Sequence, residues 1–528
     1  VLTAWLKSAS SADKLLQLLQ QHAVEMNHIH ISAAYTQAVT LCHNSVLPQL
    51  QPAAVQQLLS QLHQLVGQLQ QQCRARELAN IIWSCGRLRR ADTAAVLLPV
   101  FLLYSNLQQA EAQHVANVLW AAATLKLQVI PEQLQALLVR FSAVLRSAKP
   151  QGVSNALWAL ATLQQQQQQQ RGAQLVDEQM LSDQLQLLLQ RSQVLLIEAS
   201  PQAIANTLWA FATLQQQIPA EALQQMLLQF VTVLAQARPQ AIANTLWACG
   251  QLHYIPLQLL SALEQHLELQ AVLTAANSQE LANMAWACGQ LGYRGRLLPG
   301  ALLQQAVELL QGKDMDSFTI QGLCNLCWAA AVLDMQEEVH HVLQLVAASA
   351  QQWGSAIEGA QQQLYQVHLW LLDSQLPAPG QGLSGVLSQQ QLEQCRASWE
   401  HASAGRVQLR RSELQQSVFS AVQQLPLAWQ QQPAMEQYTA DGMLVMDIAA
   451  TTAAGVQVAI EVDGPTHFLQ PDNLPTGPTQ HRNRSLFARG YVVVSISHWE
   501  WDSLRDAEQK QECLLAKLQE VVVAGTAS

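Results

Sequence analysis

Charge is scarce in this chain: only 12% of its 528 residues are Asp, Glu, Lys or Arg, and they leave a net −10. The broad basic footprint that drives nonspecific nucleic-acid binding through counterion release is therefore missing, and a polyanion must be held by a local stripe or not at all. No stretch of about 20 residues is free of polar side chains, which excludes a membrane span and argues for a soluble chain. Nine Cys show no secreted disulfide framework, so a reducing compartment is expected. The C-x-x-C of Cys324 and Cys327 has no second pair and lies among apolar residues, which favours packing over zinc. The first residue is Val, not Met, and nothing before the first helix resembles a targeting peptide; the expectation is that the true start and any address it carried lie outside this sequence.

What the chain does have is a repeat. An Asn stands three residues before a Trp seven times: Asn80/Trp83, Asn117/Trp120, Asn155/Trp158, Asn206/Trp209, Asn244/Trp247, Asn283/Trp286 and Asn325/Trp328. Successive Trp residues lie 37, 38, 51, 38, 39 and 42 apart, and the long interval holds a glutamine insertion near residues 164–176. A fixed period of about 38 residues marks a solenoid, whose units cannot bury an apolar face alone and must stack. The segment around each Asn is almost wholly apolar and reads as a helix buried on most of its circumference. Small residues cluster near the Trp, as Ala205, Ala210 and Ala212, and Cys85, Cys249 and Cys288 share one repeat position, which implies close helix packing. A second, amphipathic stretch such as 219–237 completes a helical hairpin. The Asn and Trp read as structural: an amide in an apolar helix needs a partner, most simply a neighbour's backbone, and the indole fills space between hairpins. Residues 31–41 and Leu364–Leu371 read as atypical end units, the latter aligned by Trp370, 42 residues beyond Trp328.

The array accounts for residues 1–375, and a Pro- and Gly-rich linker for 376–400. In the remaining 401–528, short β-branched runs at 443–448, 456–462 and 491–496 read as strands, with a polar helical stretch before them at 391–424, a loop from Gly464 to Pro478 and a helix between the last two runs, and a closing helix at 502–523. The fold class is thus mostly α: an α-solenoid followed by a small α/β domain with its core at about 441–502.

Lines such as PQAIANTLWAFATL (201–214) and PQAIANTLWACGQL (239–252) resemble octotricopeptide repeats, the helical-hairpin units of green-algal organellar RNA-binding factors. AIEVDGPTHF (459–468) and RNRSLFARGYVVVSISHWEWDSL (482–504) resemble a RAP domain. The resemblance implies a sequence-specific factor for single-stranded organellar mRNA or rRNA precursor, acting in processing, stability or translation. It further implies a ribonucleoprotein complex with other RNA-processing proteins, in a chloroplast or alternatively a mitochondrion. It also implies a restriction-endonuclease-like fold for the terminal domain.

Two sets of residues are candidates for chemistry. At the start of each motif helix, four positions before the Asn, stand Arg76, Gln113, Gln151, Gln202, Gln240, Gln279 and Gln321; the next position varies, as in Glu77, His114 and Ala203. A fixed polar residue beside a variable one suits a reader of one base per unit, whereas the plainer reading is a solvated helix start. In the terminal domain Asp447, Glu461 and Asp463, with His467 beyond, have the spacing of a divalent-metal site for phosphodiester cleavage, as the restriction-endonuclease resemblance also implies. The Lys that the pattern expects two residues after Glu461 is absent, Asp463 standing there, which argues against cleavage. Arg482, Arg484 and His481 either replace its charge or grip phosphate, and the plain reading ties Glu461 to Arg484. No cofactor is required; Mg²⁺ or Mn²⁺ enters only if the terminal domain is a nuclease. An RNA-binding factor, a metal-dependent endoribonuclease and a protein-binding scaffold all remain open.

Overall fold

The computed structural model describes residues 1–42, 53–171, 176–265, 269–312, 318–408 and 412–525. The chain forms two compact units, Val1–Ala241 and Ile242–Ser528. Hairpins of helices build the first, and hairpins followed by a small α/β domain build the second.

In the first unit the helices carrying the motif, Ala75–Leu88, Ala112–Thr124, Pro150–Arg171 and Pro201–Thr213, pack side by side, and the expected end unit is the helix His28–Cys42 against Ala75–Leu88. In the second, Ser278–Gln290, Ile320–Leu333 and Glu358–Asp373 do the same. Their spacing depends on small residues six positions after the Asn. A Cβ on Gly86 would lie 2.8 Å from Cζ3 of Trp120; on Gly250, 3.0 Å from Cζ3 of Trp286; on Gly289, 3.0 Å from both Cζ3 of Trp328 and the Ala329 backbone. Each indole thus rests on the small residue of the preceding unit, and the motif Trp rings follow one another at 6.3–6.5 Å between centroids where neighbours meet. Cys85, Cys249 and Cys288 are buried free thiols, as are Cys324 and Cys327.

The motif helices begin and end by a repeated device. Ser200, Asn277 and Thr319 accept from the amides three residues on, capping their helices. Nine positions after the Asn the backbone turns left-handed, at Arg89, Lys126, Gln215, His253, Gly292 and Asp334. That residue halts the helix and lets its last carbonyls be satisfied. The third copy lacks the stop: its helix runs on through the glutamine tract to Arg171. Glutamine is a good helix former, so Gln164–Gln170 lengthen the helix; residues 172–175 of that insertion lie outside the described residues.

Two expectations fail here. In the last unit the left-handed turn is at Gln375, which puts Gln366, not a residue in register with Trp370, at the Asn position. Trp328 Nε1 donates to Gln366 Oε1 at 3.1 Å, whereas buried Trp370 donates to Asp334 Oδ1 at 2.9 Å. The segment 376–400 is also more than a linker, because a run of turns gives way to the helix Gln389–Gln408, which packs on Glu358–Asp373.

The α/β domain is a helix, Glu413–Gln423, then strands β1 (Trp429–Tyr438), β2 (Val445–Thr452) and β3 (Gln457–Asp463), two short strands β4 (Phe468–Leu469) and β5 (Leu474–Pro475), the helix Gly477–Ala488, β6 (Val492–Ser497) and closing helices His498–Ser503 and Ala507–Gly525. The main sheet runs β1-β2-β3-β6, antiparallel except for the parallel β3/β6 pair. Val418, Ile448, Ile460, Ile496, Trp501 and Leu514 are among its buried core.

This domain sits on the motif-helix ends of its own unit. The N-terminus of Gly477–Ala488 meets Ser278–Gln290 so closely that a Cβ on Gly477 would lie 1.8 Å from the Gly289 carbonyl oxygen. Arg484 Nη2 donates to the carbonyls of Ala331 and Val332 at 3.1 and 2.5 Å, where the dipole of Ile320–Leu333 favours a cation. Arg489 pairs with Asp373 at 2.9 Å and Asp441 at 2.7 Å. Gln470 exchanges backbone hydrogen bonds with His253 and Ile255 at 2.7 and 2.9 Å. Four consecutive units are thereby joined to one domain.

The stacking contact yields a stability prediction. Gly86→Val drives a branched side chain into Trp120 and should cost about 1–3 kcal/mol. Gly67→Ala, in the helix Ala53–Leu69 with no atom within 4 Å of the new Cβ, should instead stabilise by about 0.5–1 kcal/mol. Urea unfolding followed by far-UV circular dichroism distinguishes the two signs; an unperturbed Gly86→Val midpoint would contradict the contact.

Candidate nucleic-acid interface

The motif places one polar and one aromatic side chain per unit on a single helix face. Three residues is nearly one turn, so the Asn and Trp project together. Both are only half-buried in all copies except Trp328, which is 5% exposed. The Asn is therefore not a fully buried core amide. Its partners include glutamines: Gln279 donates to Asn283 Oδ1 at 2.8 Å, and Gln321 and Gln363 to Asn325 Oδ1 at 2.9 and 3.0 Å.

On the first unit this face forms a groove of about 1150 Å³. Arg76, Asn80 and Trp83 line it from one helix, Gln113 and Asn117 from the next, and Gln151 and Asn155 from the third, with Lys7 and Lys149 adding charge. Gln202 and Gln240 are exposed at the same position of their helices. The variable position beside them is occupied differently: Glu77, His114 and Glu280 turn back to accept from the amides of Arg74, Glu111 and Asn277 at 3.3, 3.1 and 2.9 Å. Burial lowers the His114 pKa, consistent with a neutral ring acting as acceptor. Its variation is largely a variation in capping. Sequence reasoning missed the residue two before the Gln, where Glu111 and Lys149 reach the groove; the signal was there, a polar residue of changing charge at a fixed offset from the Asn.

In the second unit a cleft of about 720 Å³ lies between the motif face and the α/β domain. Gln290, Trp328, Gln363 and Gln366 line it from the repeats, and Glu436, Asp447, His467, Thr479, His481 and Arg482 from the domain. Asp447, on β2, accepts from the Val462 amide at 2.8 Å and from Gln415 Nε2 at 2.9 Å. Glu461, fully buried on β3, is paired with Arg482. Asp463 pairs with His467 Nδ1 at 3.0 Å and accepts from Ser495. Burial opposes ionisation of Asp463, but the His467 and Ser495 contacts hold its carboxyl below the ordinary value. Burial pushes the Glu461 carboxyl up, to about 8, against the downward pull of Arg482. The reverse holds for Arg482, where burial is outweighed by Glu461, Asp447 and Asp463, which keep its guanidinium firmly charged. Buried His481 is pushed down to about 3, chiefly by burial and then by Arg484, and carries no charge.

This arrangement does not fit a divalent metal. The cation among the three carboxylates is Arg482, which contacts Glu461 and donates to the Val445 carbonyl at 2.9 Å. An ion needs several oxygens converging at about 2.0–2.6 Å, yet among the described residues the group whose ligand atoms converge is Glu338, His340 and His341, away from this cleft. The partner of Glu461 is Arg482 rather than Arg484, which is spent on the repeat carbonyls, and His481 cannot replace the missing lysine charge. Arg482 keeps 28% of its side-chain surface and reaches the cleft; Arg484 keeps 29%.

Residues 460–517, from β3 into the last helix, match the RAP domain, so the second unit carries a RAP domain. A stretch of 86 residues, 16% of the chain, is 33% identical to a RAP domain-containing protein, chloroplastic, from Oryza sativa subsp. japonica, and spans 12% of that protein's length. No described helix is long and apolar enough to cross a membrane.

The buried pair predicts a pH dependence. Glu461 binds its proton more tightly folded, at about 8, than its ordinary 4.5, so the stability it supplies is complete below the lower value and is lost as pH rises through the upper one. Thermal unfolding should therefore fall across that window, and Glu461→Gln should flatten the decline. A wild-type melting temperature unchanged across it would mean that Arg482 keeps Glu461 ionised throughout.

Proposed function

We propose that this chain is a sequence-specific binder of single-stranded RNA, built from octotricopeptide-like units, that controls the processing, stability or translation of an organellar transcript. The observation that carries this reading is the groove of the first unit, where Arg76, Gln113 and Gln151 stand in register beside half-exposed Asn and Trp. Amides offer both donor and acceptor to base edges, and half-exposed indoles offer a stacking surface. Neighbouring motif Trp rings lie 6.3–6.5 Å apart, about twice the 3.4 Å rise of a stacked strand, so a strand read one base per unit would be unstacked, as single-stranded readers require.

Scarce charge fits this mode. A chain of net −10 gains little from nonspecific phosphate attraction, so discrimination rests on bases while Lys7, Arg76 and Lys149 provide a local anchor. The RAP domain acts without cleavage, because Arg482 fills the centre of its carboxylates. The chloroplastic name of the matched rice protein favours a chloroplast over a mitochondrion. Other RNA-processing proteins are the expected partners in a ribonucleoprotein.

The test is crosslinking of the full chain in chloroplast extract, followed by sequencing of the bound RNA. One footprint of about seven to nine nucleotides is expected, near one per unit, with duplex RNA bound far less well. Arg76→Ala and Lys149→Ala should each lower the slope of log affinity against log salt by about 0.7, the single-strand increment for one phosphate contact. Recovery of proteins with no RNA preference would replace this reading with a scaffold.

A further inference from the structure

Where the motif helix Ile320–Leu333 ends, the chain turns left-handed at Asp334, makes a 3-10 turn over Gln336–Glu338 and starts the helix Val339–Gln351. Two histidines stand in the first turn of that helix, beside the glutamate that precedes it. Three residues is nearly one turn, so Glu338 and His341 share a face. They meet there: Nδ1 of His341 lies 2.6 Å from Oε2 of Glu338. His340 does not share that face by position, yet its ring lies against that of His341, 3.8 Å between centroids. Among the described residues, these three side chains form the group whose candidate ligand atoms all lie within 4.8 Å of one another.

The donor set decides which ion suits the group. Two imidazole nitrogens and one carboxylate oxygen match Zn²⁺, with Cu²⁺ and Ni²⁺ in the same class, whereas Mg²⁺ and Ca²⁺ take oxygen ligands. Around tetrahedral zinc, with bonds of about 2.0–2.1 Å, ligand atoms stand about 3.3 Å apart. The Glu338–His341 contact must therefore open slightly and the third donor draw in, which rotation about side-chain bonds supplies. His340 is exposed, and Glu338 and His341 are half-buried, so an ion reaches the group without unfolding the helix. The dipole of a helix start opposes a cation, and the Glu338 carboxylate offsets it. Three protein ligands leave a position for water, which makes the ion exchangeable.

We propose that Glu338, His340 and His341 form a binding site for a divalent transition-metal ion of the zinc class. The site stands apart from the RNA-binding reading and from the carboxylates around Arg482. Its place in the fold gives the ion a role. Four residues before Glu338, Asp334 accepts from Trp370 Nε1 at 2.9 Å and lies 3.9 Å from Nε of Arg484, a residue of the RAP domain. A bound ion ties the 3-10 turn to the helix that follows, and so braces the turn that Arg484 meets.

The test uses the full chain, stripped of metal with a chelator, kept reduced by a phosphine and titrated calorimetrically with zinc chloride alone. Wild type should take up one equivalent that His340→Ala and Glu338→Gln each bind at least about tenfold more weakly, since even the loss of a ligand's supporting partner costs that much. His340 is exposed and the new Gln keeps an oxygen for His341, so both variants should retain the wild-type circular dichroism. Cobalt(II) in place of zinc should show no thiolate charge-transfer band, and excess Mg²⁺ should not displace zinc. Saturating zinc should slow amide hydrogen exchange at residues 334–341. No zinc uptake, or equal uptake by wild type and both variants, would overturn the site, as would a thiolate band or displacement by magnesium. Exchange at 334–341 unchanged by bound zinc would overturn the brace.

Discussion

Everything else in this molecule depends on how closely one motif helix can approach the next. An indole three residues after an Asn must lie over the residue six after the preceding Asn, and that residue must be small. Gly86, Gly250 and Gly289 meet this limit with 2.8–3.0 Å between a hypothetical Cβ and the ring; Ala123, Ala161, Ala212 and Ala331 hold the same position elsewhere. Asn and Trp share one face by their three-residue spacing, and the close approach leaves that face half-covered by the neighbouring helices. The face that spaces the units is therefore also the face available to a ligand. Structure and recognition are not alternatives for the Trp: it packs along one side of its ring and is open along another.

The same spacing explains the docking of the RAP domain. In the second unit the motif helices stop at left-handed residues, His253, Gly292, Asp334 and Gln375, and leave their last carbonyls toward the RAP domain. Arg484 takes two of those carbonyls from one helix, and Gly477 fits against the end of another only because it has no side chain. A domain so placed is positioned by backbone atoms, which the sequence of any one unit can change only slightly. Arg489 and Asp373 add an ion pair with little exposure, 12% and 17%. Such pairs contribute more to specificity of placement than to net stability, because desolvation offsets much of the attraction.

The repeat period, the hairpins, three strands of the sheet and the cysteines as core residues were legible in the sequence, because each writes a periodic signal. β1 was not. It is an edge strand with two register irregularities, a proline at Pro433 and mostly exposed or half-exposed side chains, and Pro at an edge removes the pattern by which strands are recognised. The register of the last unit was hidden for a different reason: Trp370 mimics the repeat by spacing alone, while the left-handed stop at Gln375, which fixes the register, uses a residue type with no marked preference for that conformation. The variable position after each Gln looked like a code because capping admits Glu and His interchangeably. Long-range pairing was invisible altogether. Nothing in the spacing of Glu461 and Arg482, 21 residues apart in sequence, says that the guanidinium returns from the following helix to the strand.

The return of that guanidinium decides how the domain is used. A centre of three carboxylates is costly to bury and needs a cation. A metal supplies one that substrate can share, since its open positions accept further oxygens; a guanidinium supplies one whose donors are directional and here already turned toward Glu461 and the Val445 carbonyl. The carboxylates become part of the scaffold, and of the three only Asp447 lines the cleft. Such a centre does not activate phosphate as a metal ion with open positions would.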